Sequence, residues 1–133
     1  MLSLLFNILN DSSTTSSSNI VVNEYSATTT VSTSEYFLPN YSTTATAMTV
    51  PGLWETFLDL STLVDGDVLQ FKVYETTLSG GTQIVYDIKE FTNLQQIPGF
   101  IYPPIILGNG WNISLTMLTA TPRVINWRIS LVK

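Results

Sequence analysis

Residues 63–91 read LVDGDVLQFKVYETTLSGGTQIVYDIKEF, and their alternation constrains the fold more than any other stretch of the chain. Leu69, Phe71 and Val73 alternate with Gln70, Lys72 and Tyr74; further on, Ile84, Tyr86 and Ile88 alternate with Val85, Asp87 and Lys89. A period of two sends successive side chains to opposite faces, so each run is a strand with one apolar and one wetter side. Ser79-Gly80-Gly81 supplies residues that tolerate positive φ between the runs, and Asp65-Gly66-Asp67 marks another turn ahead of them. The stretch predicts a β-hairpin whose two apolar sides are the candidate core faces.

Around this hairpin the chain divides into three parts. Residues 1–10 begin MLSLLFNIL, with Leu2, Leu5, Phe6 and Leu9 at helical spacing and Leu4 and Ile8 widening the stripe. The segment is too short to span a bilayer and lacks the basic start and small-residue cleavage site of a secretory signal, so a membrane role is the weakest of its readings. Two others stand: an arm that packs on its own domain, or one that docks into a neighbouring subunit. Residues 11–19, DSSTTSSSN, have nothing to bury and read as a flexible linker. At up to about 3.3 Å per residue, that linker lets the arm land some 25–30 Å away.

Residues 20–133 read as one β domain. Ser, Thr and Val density predicts strands near 20–25, 28–38 and 44–50, separated by turns at Pro39-Asn40 and Pro51-Gly52. Trp54, Thr56, Leu58 and Leu60 alternate with Glu55, Phe57 and Asp59, giving a strand over 53–60. Residues 92–110 carry six prolines and glycines, Pro98, Gly99, Pro103, Pro104, Gly108 and Gly110, which predicts a loop with a short extended edge piece near 100–107. A terminal hairpin follows, with Ile113, Leu115 and Met117 facing in from one arm, Ile125, Trp127, Ile129 and Leu131 from the other, and Thr119-Ala120-Thr121-Pro122 turning between them. About eight strands without a βαβ unit imply an all-β fold, an antiparallel β-sandwich with the jelly roll as its leading topology and a short N-terminal arm outside it.

Composition narrows function mainly by removal. The chain has no Cys and no His, which eliminates thiolate or imidazole metal ligands, Cys nucleophiles, disulfides and a His general base. Its five basic residues, Lys72, Lys89, Arg123, Arg128 and Lys133, are dispersed, so no phosphate-tracking patch exists and nucleic acid is not an expected partner. Charged residues make up 11% against 44% hydrophobic, a balance that suits a folded subunit living in an assembly better than a Ser/Thr-coated monomer.

The remaining candidates each have a plainer explanation. Glu55 and Asp59 share a strand face but sit about 13 Å apart, too far for paired-carboxylate catalysis. Asp65 and Asp67 could offer oxygens to calcium, yet D-G-D before a strand is ordinarily a turn. No G-x-S-x-G elbow accompanies the abundant hydroxyls, and neither an enzyme nor a cofactor is expected. Trp54 and Trp127 fall on inward faces, which leaves Trp111, after Gly110, as the exposed aromatic a carbohydrate-binding module would need. Asn10, Asn40 and Asn112 each begin an N-x-S triplet, weak support for surface display.

The run LDLSTLVDGDVLQFKVYET, the Gly-Gly turn, the aromatic-bearing return strand, the PPIILGNG loop and the closing LTMLTATPRVINWRISLV resemble small β-sandwich structural proteins of tailed and icosahedral viruses that infect bacteria and archaea. The likeness covers roughly residues 52–133; residues 1–51 depart from it. It implies a virion component, a minor capsid, penton, decoration or turret subunit, that forms a homo-oligomer through its sandwich. In that reading Leu2, Leu5, Phe6 and Leu9 anchor the subunit to another shell protein. The alternative is a carbohydrate-binding or host-attachment sandwich.

Overall fold

A computed structural model describes residues 22–132. Eight strands form two four-stranded antiparallel sheets. In chain order they are β1 (Val22–Val31), β2 (Tyr36–Phe37), β3 (Gly52–Asp59), β4 (Val68–Glu75), β5 (Ile84–Thr92), β6 (Gly99–Leu107), β7 (Asn112–Met117) and β8 (Arg123–Val132). The first sheet has the order β1-β8-β3-β6 and the second β2-β7-β4-β5. The expected all-β sandwich is thus the observed architecture, apart from a 3-10 turn at Leu38–Asn40.

The core lies between the sheets and is built by the residues that alternation nominates. Leu69, Phe71 and Val73 of β4 are fully buried, as are Trp54, Thr56 and Leu58 of β3 and Leu60 just beyond it. Ile113, Leu115 and Met117 of β7 meet Ile125, Trp127, Ile129 and Leu131 of β8 in the same cluster. Burying the three β4 side chains alone contributes roughly 5–9 kcal/mol before ordering costs. Trp54 and Trp111 pack with ring centroids 4.8 Å apart and planes inclined by 46°. Both indoles donate to one acceptor, the Val50 carbonyl, at 3.2 and 2.8 Å. A buried indole N–H needs such a partner, and this pair fixes the loop ahead of β3.

Several expectations are corrected. The two strands expected near 20–25 and 28–38 are one strand, β1, because Ser26-Ala27-Thr28 contains no turn former and all ten residues pair with β8. The chain leaves β1 at Val31; only Tyr36–Phe37 then joins the second sheet, and Pro39 opens the 3-10 turn. The strand expected at 44–50 is a loop with one isolated bridge, Met48 to Trp111, just ahead of β7. In the opposite sense, the short edge piece expected near 100–107 is a nine-residue strand, β6. It tolerates Pro103 and Pro104 because it pairs on one side only, and the β3 ladder skips a step there, passing from Trp54↔Ile105 to Thr56↔Tyr102. The terminal hairpin is not a hairpin: β7 belongs to the second sheet and β8 to the first, so Thr119-Ala120-Thr121-Pro122 turns a corner between layers.

The largest correction concerns β5. It pairs with β4 as expected, but Ile84, Tyr86 and Ile88, taken as a core face, are all exposed. Phe71↔Lys89 and Val73↔Asp87 are directly opposite, so the charged residues share the inward side of β4's core residues.

Candidate functional site

Leu2, Leu5, Phe6 and Leu9, the residues nominated for partner binding, lie outside the described residues. Among the described residues, the register of the first sheet builds one exposed apolar row. Val132 of β8 is level with Leu53 of β3, and Leu53 is level with Ile106 of β6. Since Trp54, Leu107 and Leu131 beside them point inward, these three turn to the outer face, exposed by 39% at Leu53, 44% at Val132 and 81% at Ile106. Three adjacent strands thus present one aliphatic row across the end of the sheet. Its sequence signal is subtle: Leu53-Trp54, Ile106-Leu107 and Leu131-Val132 are apolar pairs at strand ends, and in a strand one of each pair must face out.

The next levels of the same face are largely polar on β1, β8 and β3, although Phe57 is level with the exposed Ile101 of β6. Glu24, Ser130 and Glu55 are level with one another, then Ser26, Arg128 and Phe57, then Thr28, Asn126 and Asp59. Between them lies a shallow groove of about 350 Å³ lined by Glu24, Ser26, Phe57, Asp59, Asn126, Trp127 and Arg128. Its groups are largely occupied with each other. Arg128 sits 5.3 Å above the Phe57 ring and 3.7 Å from Glu24. Asp59 accepts the Ser61 backbone N–H at 3.0 Å, and Ser61 and Asn126 together hold its carboxyl below the ordinary carboxylate range. The Phe57 face is therefore covered by a guanidinium, and the two carboxylates oppose one cation.

The other sequence candidates resolve into structural roles. Asp67 is buried and takes Arg123 through Nε at 2.6 Å and Nη2 at 3.2 Å, while also accepting the Val64 N–H at 2.9 Å. The guanidinium holds the Asp67 carboxyl below its usual range. Asp65 accepts from the Leu94 N–H, and Gly66 between them has φ +95°, so D-G-D is a turn with occupied oxygens. Among the described residues no group of three or more acidic side chains could hold a metal ion. Trp111, the expected exposed aromatic, is fully buried because the Met48 and Val50 loop closes over it.

Asn112 is likewise fully buried, its amide donating to Asn40 Oδ1 at 2.8 Å and the Thr46 carbonyl at 3.1 Å. A glycan cannot occupy that nitrogen in the folded protein. The Asn40 amide is also engaged, with the Met48 sulfur, and its Oδ1 accepts the Thr46 N–H.

Two polar clusters outside the groove tie elements together. Glu35 accepts the Tyr74 and Ser114 hydroxyls at 2.5 Å each, with Lys72 at 3.8 Å. Tyr102 of β6 donates to Asp87 of β5 at 2.8 Å across the gap between sheets. Burial first, then the facing carboxylate, raises both phenols well above their ordinary range, so both stay hydrogen-bond donors. Asp87 also accepts the Ile88 N–H at 2.9 Å and lies 3.8 Å from Lys89. Inward charges on an edge strand, Pro103-Pro104 on β6 and the two-residue length of β2 all discourage edge-to-edge pairing.

No family model, curated protein or solved structure matches the chain.

Proposed function

We propose that this protein is a non-enzymatic virion structural subunit with jelly-roll topology, a minor capsid, penton, decoration or turret component that forms a homo-oligomer through its sandwich and is anchored by its N-terminal arm. The aliphatic row of Leu53, Ile106 and Val132 carries the reading: an exposed apolar stripe on a protein with only 11% charged residues is a surface made to be covered. Nested pairing supports the topology. β1 pairs with β8, β2 with β7, β3 with β6 and β4 with β5, the order produced when one long antiparallel ribbon folds over into two sheets. The viral setting enters through the resemblance of residues 52–133. The glycan-binding alternative loses its aromatic, since Trp111 lies in the core and the Phe57 ring is covered by Arg128.

Light scattering on the full-length protein across a dilution series tests the reading. A closed oligomer of constant mass, a trimer or pentamer, is expected. A monomer at every concentration removes it.

A further inference from the structure

The apolar row has a shape that asks for a particular occupant. Val132, Leu53 and Ile106 lie on three neighbouring strands, so the row runs across the sheet for about 10 Å at the usual strand spacing. It is aliphatic throughout, and the flanking level carries Glu24 and Glu55, so an anionic partner is disfavoured. Within this chain one segment matches in length and chemistry. Leu2, Leu5, Phe6 and Leu9 at helical spacing imply a stripe about 10 Å long, and residues 1–9 contain no charged side chain.

Reach allows a second copy to supply it. The first described residue, Val22, is the register partner of Val132, so the chain joins β1 at the level of the row itself. Residues 10–21 can extend about 40 Å, twice the width of roughly 20 Å that four strands occupy. An arm leaving at one row is thus long enough to cross to the same row on a subunit packed beside it. Each copy then gives an arm and receives one, a head-to-tail contact that forms a ring when the rotation between copies closes.

We propose that residues 1–9 of one copy dock through Leu2, Leu5, Phe6 and Leu9 on the row Leu53, Ile106 and Val132 of a second copy. This rests on the reading of the arm as an anchor between subunits and names the surface that receives it.

The absence of cysteine makes the test direct. Full-length Phe6→Cys and Ile106→Cys proteins are mixed, oxidised gently and run on a non-reducing gel. The mixture is expected to give about ten-fold more disulfide dimer than either variant alone, because docking raises the local concentration of the two thiols. Ile88→Cys replaces Ile106→Cys as the control, being exposed and apolar but off the row, and gives no such gain. A chain carrying both Phe6→Cys and Ile106→Cys that cross-links only within itself, with no dimer from the mixed single variants, overturns delivery by a second copy. Equal cross-linking to Ile88→Cys overturns the row as the seat. If wild-type protein is a closed oligomer and no cross-link forms, the docking fails while the shell-subunit reading stands; a monomer at all concentrations removes both.

Discussion

Strands β4 and β5 are two arms of one hairpin, carry the same alternation of polarity, and end in opposite situations. On β4, Leu69, Phe71 and Val73 are fully buried between the sheets. On β5, Ile84, Tyr86 and Ile88 face solvent while Asp87 and Lys89 take the inward side. Position in the sheet accounts for the difference. β4 lies between β7 and β5, so both its ladders are filled and its inner face is roofed by the first sheet. β5 is an edge, and opposite it stands β6, also an edge, so its inward residues reach the rim of the sandwich rather than its middle. At a rim, a carboxylate can be wetted and bonded at once, as Asp87 is by Tyr102 and the Ile88 N–H. Alternation thus tells that a strand has two faces, and the neighbours decide which face is inside.

The contrast can be broken most forcefully at Phe71. Phe71→Ala is expected to cost about 3–5 kcal/mol in chemical denaturation, through lost burial and an unfilled cavity beside Phe100 and Tyr102. A loss under 1 kcal/mol would mean that the β4 face is not the core.

The second test uses pH and the residue that ends the turn into β4. Asp67 has its carboxyl lowered by Arg123, so its contribution is fully present above the unfolded carboxylate value of about 3.9 and is lost as pH falls through the lower folded value. Thermal melts from pH 7 to pH 3 should show wild type losing stability toward acid, and Asp67→Asn starting lower with a flatter acid limb. Parallel curves would remove the ion pair from the account.

Smaller effects belong to β5. Tyr102→Phe removes the hydroxyl that bridges to Asp87 and is expected to cost about 1 kcal/mol. Ile88→Thr, on the exposed side, should change stability by no more than about 0.5 kcal/mol. Lys89→Val is expected to leave the denaturation midpoint nearly unchanged yet raise concentration-dependent association in light scattering, by removing one of the inward charges that guard the edge. Unchanged association would show that Lys89 is not needed to guard the edge, which Asp87 and the ladder slip beside it then protect.

The faces of β3, β4, β7 and β8 were legible in the sequence because each follows a period of two around large apolar residues such as Trp54, Phe71, Leu115 and Ile129. Sheet membership was not. Nothing local in Thr119-Ala120-Thr121-Pro122 distinguishes a hairpin from a corner between layers, since the choice depends on where β3 and β4 already stand. The burial of Trp111 is hidden from the sequence for a related reason: it follows Gly110, a turn residue, and what buries it is the loop around Met48 and Val50, some sixty positions upstream. The outer-face row joins positions 53, 106 and 132, which only pairing register brings together.

The nested pairing also sets a timetable. β1 is held in the first sheet by β8 alone, and β3 separates β8 from β6. As the chain grows, the β4–β5 hairpin and the β3–β6 pair can form early, each closing a modest loop, whereas β1 waits for a partner about a hundred residues downstream. Until β8 emerges, the inward faces of β1 and β3 lack the strand that lies between them. Folding dominated by such distant contacts is slow, and the half-built sandwich is the species a cell must shield from aggregation.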